Sequence, residues 1–120
     1  MLTTSNLLGL HSLLTLHTLQ LEKLMNLVDF ASFLNQVLVD LKLEQVGEVL
    51  HEFENKSFTA TFCLKESHIC IHTWPEINTI TTDVYLCNYS ADNTEKVRVI
   101  SNSIIRFFEA SVVKQIEIQR

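Results

Sequence analysis

Residues 66–76 read Glu-Ser-His-Ile-Cys-Ile-His-Thr-Trp-Pro-Glu, and this segment decides what kind of sheet the chain builds. Over residues 68–72 polar and apolar side chains alternate with the period of two that is typical of a half-buried β-strand. The two isoleucines, Ile69 and Ile71, therefore lie on one face of a sheet, and the two histidines and the cysteine between them lie on the other. We predict that the isoleucine face packs against helices and that the opposite face carries a functional site.

The segments on either side of this strand predict an α+β two-layer sandwich. Two stretches have apolar residues at spacings of three and four, as a helix with one buried stripe requires. One runs from Phe30 to Leu41, and the other opens at Asp92 with Glu95 at the capping-box position. Strand-forming residues or alternation mark five further segments: 8–17, 46–53, 58–64, 79–86 and 112–118. This order predicts an antiparallel sheet with two helices on one face.

Composition restricts the classes of function that the chain can have. It has 120 residues, 47% of them hydrophobic and 19% charged, with two Gly and one Pro, which indicates one ordered domain over residues 1–120. The formal charge of −5, without a basic cluster, argues against nucleic-acid binding. The apolar residues 7–16 are too few to span a membrane and have no signal-peptide flanks, so we expect neither a membrane segment nor a targeting signal. Three cysteines without paired spacing favour the cytoplasm.

Residues 66–76 resemble the self-cleavage segment of the prokaryotic S-adenosylmethionine decarboxylase proenzymes. In that family the Glu-Ser bond breaks itself and the serine becomes a pyruvoyl group, a covalent cofactor that forms a Schiff base with the substrate and draws off electrons as carbon dioxide leaves. The resemblance continues without a gap from about Gly9 to Cys87. It implies cleavage between Glu66 and Ser67 into fragments 1–66 and 67–120, and decarboxylation of S-adenosylmethionine for spermidine biosynthesis.

The resemblance also implies a catalytic role for three residues besides Ser67. His72 is expected to act as the base during self-cleavage. Thr59 stands where well-studied members carry a serine that assists cleavage, so the hydroxyl is retained with an added methyl group. Cys87, twenty positions after Ser67, is expected to be the thiol that protonates the carbanion left by decarboxylation.

Four residues are expected to bind substrate, again by resemblance. Phe53 stands where the family stacks the adenine, and its ring face can also attract the sulfonium charge. Glu76 stands where a carboxylate holds the ribose hydroxyls. Trp74 and His68 are expected beside the substrate.

The chain departs from the resembled family at several positions. The family usually carries Gly near positions 57 and 60 and after the cysteine, where this chain has Ser57, Ala60 and Asn88. These changes restrict the backbone near the site. Cys70 replaces a Thr or another small residue, and a thiol beside an electrophilic carbonyl can form a reversible adduct.

Three other interpretations stay open from the sequence. An altered nucleoside pocket would give a pyruvoyl decarboxylase of a plain amino acid such as arginine or ornithine. A non-cleaving regulatory paralogue is the second alternative, and Thr59 is its best support. A zinc site on the histidine and cysteine face is the third, but the short-loop cysteine pairs usual for zinc are missing, so we predict no metal.

The size of the chain bears on its assembly. A domain of 120 residues is small for burying a deep active site by itself. We therefore predict a homodimer whose sites lie near the subunit interface.

Overall fold

The computed structural model of the chain describes residues 8–89 and 91–120. Within these residues six strands form one sheet in the order β2-β3-β4-β5-β1-β6, and every neighbouring pair is antiparallel. The strands are β1 Leu10–His17, β2 Gln45–Glu52, β3 Phe58–Leu64, β4 His68–Trp74, β5 Thr79–Leu86 and β6 Ser111–Gln119. The two helices are α1 Leu27–Asp40 and α2 Thr94–Phe107. The predicted α+β two-layer sandwich is confirmed.

The hydrophobic core lies between the two helices and one face of the sheet. Ile69 and Ile71 of β4 are fully buried on that face, as the alternation predicts. Phe30 of α1 is fully buried, and its ring centroid lies 5.7 Å from that of Phe58 and 5.6 Å from that of Phe108. Burial of such an aromatic side chain contributes about 1.5–3 kcal/mol. The aromatic cluster therefore fixes the helices against the strands that carry the candidate site.

The ends of several elements differ from the sequence predictions. β1 begins at Leu10 rather than Leu8, whose side chain is partly exposed. α1 begins three residues earlier than Phe30, because the Asn26 side chain accepts a hydrogen bond from the backbone N–H of Asp29 and so starts the helix sooner.

The predicted start of the second helix is also corrected. α2 begins at Thr94 after Asn93, and not with Asp92 as its N-cap. Asp92 still accepts a hydrogen bond from the Thr94 N–H at 3.0 Å, but the Asn93 side chain is used elsewhere, as described below.

No helix among the described residues has the length and apolar character needed to cross a membrane.

Candidate active site

Ser67 and Cys87 lie side by side, Ser67 directly before β4 and Cys87 directly after β5. Ser67 lies in the turn between β3 and β4, which is closed by a hydrogen bond from the Leu64 N–H to the Ser67 carbonyl oxygen at 2.9 Å. Cys87 directly follows β5, which pairs antiparallel with β4. The Cys87 N–H donates to the Ser67 Oγ at 2.9 Å. We call Glu66, Ser67 and Cys87 the serine end of the site.

A cavity of about 380 Å³ lies beside the serine end. Ser67 and Cys87 form part of its wall, with charged side chains around them, among them Glu66 and Lys96. The volume falls within the range of small-molecule sites. The serine end therefore has space for part of a substrate.

The pair Thr59 and His72 lies farther along the same sheet. The two residues are direct partners in the β3–β4 register, and the Thr59 Oγ1 lies 2.8 Å from the His72 Nδ1. Their side chains are on the face opposite the helices, where the His72 side chain is exposed. Trp74 stands two residues on, and its indole N–H donates to the Thr81 Oγ1 at 3.3 Å.

Phe53 and Glu76 lie near this pair and not near Ser67. Phe53 follows β2 and is 47% exposed, and its ring centroid is 4.5 Å from that of His51. Glu76 accepts a hydrogen bond at 3.5 Å from Asn55, a residue of the same turn between β2 and β3. We call Thr59, His72, Trp74, Phe53 and Glu76 together the histidine end.

The two ends are far apart within one chain. His72 is four positions after His68 along β4, which is about 13 Å at the rise of a β-strand. Ser67 precedes His68, so its backbone is farther still from the backbone of His72. Trp74 is about 20 Å from His68 by the same measure. The chain thus brings together Ser67 with Cys87, and Thr59 with His72, but does not bring these two pairs to each other.

His68 belongs to a third group of polar side chains, which sequence reasoning missed. The Asp83 Oδ2 lies 3.1 Å from the His11 Nε2 and 3.5 Å from the His68 Nε2. The signal in the sequence was weak, because His11 and Asp83 lie 72 positions apart on two different strands, β1 and β5.

Among the described residues this group is the one whose ligand atoms, all within 4.8 Å, are close enough for a metal ion. The Arg120 Nη1, however, lies 3.4 Å from the His11 Nδ1. A guanidinium only donates, so the His11 Nδ1 accepts and its Nε2 donates to Asp83. If a metal ion bound the His11 Nε2, the proton would be on the Nδ1 and would point at the Arg120 guanidinium. A metal-bound histidine usually donates that N–H to a carboxylate, a carbonyl or water instead. The group therefore fits a hydrogen-bond network better than a metal site.

Cys70 also lies on the outward face of β4. The Thr61 hydroxyl donates to its Sγ at 3.7 Å, and burial raises the pKa of the Cys70 thiol. Three positions separate Cys70 from Ser67, which is about 10 Å along a strand. A thiol adduct would require Cys70 to lie beside the pyruvoyl carbonyl that Ser67 would form. Within one chain Cys70 is too far from Ser67 for that.

These features define a class of protein: a small α+β sandwich with a serine and a cysteine paired at two strand ends beside a cavity. Residues 10–120 match the model of the family described as S-adenosylmethionine decarboxylase. The chain belongs to this family.

Two curated relatives and one solved structure show how near the similarity is. A protein of Sulfurihydrogenibium sp. (strain YO3AOP1) named S-adenosylmethionine decarboxylase proenzyme is 36% identical over 80 residues, which cover 67% of this chain and 60% of the relative. The protein of that name from Aquifex aeolicus (strain VF5) is 30% identical over 109 residues, 91% of this chain and 78% of the relative. The crystal structure of the Aquifex aeolicus VF5 adenosylmethionine decarboxylase has a TM-score of 0.76 at 26% identity and covers 94% of this chain and 88% of its own.

Proposed function

We propose that this chain is a proenzyme that cleaves itself between Glu66 and Ser67 and then decarboxylates S-adenosylmethionine, as a supplier of spermidine biosynthesis. The observation that carries the proposal is the Ser67 hydroxyl, held by the Cys87 N–H at 2.9 Å beside a cavity of about 380 Å³. Membership of the family and the name proenzyme given to its relatives agree with it. Free thiols persist in a reducing compartment, so we place the protein in the cytoplasm.

The bonds that form and break in self-cleavage lie in the turn that holds Glu66 and Ser67. The Ser67 Oγ attacks the Glu66 carbonyl carbon, and the peptide C–N bond breaks to give an ester. A base removes the Ser67 α-proton, and the Cβ–Oγ bond of residue 67 then breaks, so that Glu66 leaves with the oxygen as the C-terminal carboxylate of fragment 1–66. Water hydrolyses the resulting dehydroalanine to ammonia and a pyruvoyl group. The hydrogen bond from Cys87 supports the first step because it orients the hydroxyl oxygen of Ser67.

The residues of the serine end fit the pyruvoyl group that Ser67 would become. Once formed, this group supplies an electron-withdrawing carbonyl for the substrate amine. Cys87 would deliver the proton that replaces carbon dioxide. In the precursor its backbone N–H bonds the Ser67 Oγ at 2.9 Å, so residue 87 lies next to the place where the pyruvoyl group forms, although that oxygen leaves during cleavage. His68, the residue after Ser67, would border the same centre.

The proposed base, His72, must come from a second copy of the chain. A separation of at least about 13 Å excludes direct proton transfer to His72 of the same chain, because general bases act within hydrogen-bond reach. In a homodimer the histidine end of one copy would complete the serine end of the other. The same pairing would bring Phe53, Glu76 and Trp74 to the substrate.

The outward face of the sheet has the character that such an interface needs. It exposes apolar side chains, and the antiparallel register places them on the face of His72. They are Val49 at 70% exposure, Trp74 at 44%, Ile116 at 44% and Ile118 at 47%. An apolar face of this kind on a small domain favours a symmetric dimer. Sedimentation at micromolar concentration tests this, and a fully active monomer would contradict it.

Measurement of the intact mass tests the proposed function. The purified protein is expected to give residues 1–66 and a 67–120 fragment whose N-terminus is blocked by the pyruvoyl group. The cleaved protein is then expected to release carbon dioxide from S-adenosylmethionine but not from arginine or ornithine. A chain that stays whole after prolonged incubation would overturn the proposal and favour the non-cleaving paralogue.

A further inference from the structure

We propose that the side chains of Asn88 and Asn93 form a clamp that positions Cys87, and through it Ser67, for both self-cleavage and proton delivery. The catalytic roles of Ser67 and Cys87 rest on the proposed function. The clamp itself rests on four hydrogen bonds around the loop that follows β5. Asn93 also borders the cavity of about 380 Å³. Both asparagines are nevertheless positioning residues in this proposal, because they act on the Cys87 backbone and not on the reacting atoms.

The two asparagines hold the loop through their amide groups. The Asn93 Nδ2 donates to the Cys87 carbonyl oxygen at 2.8 Å. The Asn93 backbone N–H donates to the Asn88 Oδ1, also at 2.8 Å. Each amide thus ties one end of the loop to the other, and the Cys87 backbone cannot shift without breaking these bonds.

The clamp is anchored to the segment that precedes β1. The Asn88 Nδ2 donates to the Leu8 carbonyl oxygen at 3.0 Å, and Asn88 is 8% exposed. Gly9 packs so closely here that an added Cβ would lie 2.0 Å from the Leu86 carbonyl oxygen. The backbone on both sides of Cys87 is therefore held against the segment of Leu8 and Gly9.

Both polar groups of the Cys87 backbone are used in this arrangement. Its C=O accepts from Asn93, and its N–H donates to the Ser67 Oγ. A change in the carbonyl contact would rotate the residue and move the N–H that orients Ser67. A misplacement of about 1 Å at a reacting group can cost about 100-fold in rate. The clamp thus links the loop amides to the chemistry at Ser67.

The test compares three variants of the full chain. Asn93→Asp keeps the size and the backbone N–H but replaces the donor to Cys87 with an acceptor, so that two oxygens face each other. Asn93→Ala removes the donor without this repulsion. Asn102→Asp is the control for charge. It makes the same substitution at an exposed position of α2, the helix that begins directly after Asn93.

Three readouts separate positioning from simple destabilisation. The first is the rate at which the fresh precursor cleaves. The second is kcat against KM of the cleaved enzyme. The third is the alkylation rate of Cys87 relative to exposed Cys63 in the same sample, resolved by peptide mass spectrometry.

Asn93→Asp is expected to slow cleavage and to lower kcat, each by about 10- to 100-fold, with little change in KM. Asn93→Ala should move both in the same direction by less, and Asn102→Asp should match the wild type. The clamp is overturned if Asn93→Asp behaves as Asn102→Asp does. If the aspartate variant does not fold, Asn93→Ala takes its place in this comparison.

Failure of the proposed function has a different signature. If the wild type neither cleaves nor decarboxylates, that function is wrong, and the alkylation ratio still tests the clamp. A changed Cys87 to Cys63 ratio in Asn93→Asp supports the clamp, and an unchanged ratio overturns it.

Discussion

The serine end and the histidine end lie at opposite ends of the same strand, β4, and they are built differently. The serine end is held by backbone groups, as in the bond from the Cys87 N–H to the Ser67 Oγ at 2.9 Å. The histidine end is held by side chains on an exposed face, as in the contact of 2.8 Å between Thr59 and His72. Each end has groups that the proposed reaction needs and lacks the others. This difference supports the proposal that one chain carries two half-sites rather than one complete site.

Among changes at the two ends, loss of the Ser67 hydroxyl should have the largest effect on self-cleavage. Ser67→Ala removes the attacking oxygen, so we expect no cleavage at all while the fold is retained. Gel electrophoresis and intact mass check the cleavage, and circular dichroism checks the fold. Ser32→Ala, at an exposed position of α1, is the control and should cleave like the wild type. Cleavage of the Ser67→Ala chain would show that another residue starts the reaction.

The second prediction tests whether the two ends come from different copies. His72→Ala should slow cleavage by about 10²–10⁴, the usual contribution of a positioned general base. Co-expression with Ser67→Ala should restore cleavage of the His72→Ala chain, because a mixed dimer pairs an intact serine end with an intact histidine end. Differently tagged chains show which one is cut. If co-expression restores nothing, His72 acts within its own chain or not at all.

The third prediction separates the two functions of the serine end. Cys87→Ala keeps the backbone N–H that bonds Ser67, so cleavage should proceed. Turnover of S-adenosylmethionine should fall by about 10²–10⁴, because the proton donor is missing. Cleavage and carbon dioxide release are measured on the same preparation. Wild-type turnover in this variant would remove Cys87 from the mechanism and leave Cys70 as the next thiol to test.

The smallest effect is expected at the hydroxyl that accompanies His72. Thr59→Val loses the contact with the His72 Nδ1, and the loss of one hydrogen bond of about 0.5–1.5 kcal/mol should slow cleavage by a few-fold to about tenfold. Thr59→Ser keeps the hydroxyl and should cleave at least as fast as the wild type. The time course of precursor loss measures both. Equal rates for the valine and serine variants would mean that this hydroxyl takes no part.

Much of the fold follows from the sequence because short-range patterns carry it. The ends of β3 and β5 were predicted at Phe58, Leu64, Thr79 and Leu86 and agree with the structure. The helix starts were less accurate, since a single side-chain cap such as that of Asn26 moves a boundary by several residues. The loop after β5 was beyond prediction, because Asn93 could cap α2 or bind the Cys87 carbonyl, and only the packed chain selects the second.

Patterns in the sequence are enough to predict the α+β sandwich and the two faces of β4. These depend on alternation and on the antiparallel pairing of adjacent strands, which a one-dimensional pattern encodes. The packed chain was needed to show that the Cys87 N–H meets the Ser67 Oγ at 2.9 Å. It also placed His11 and Asp83, from β1 and β5, around His68. Such contacts form across the sheet, so they depend on which strands become neighbours and in which register, and a motif of consecutive residues specifies neither.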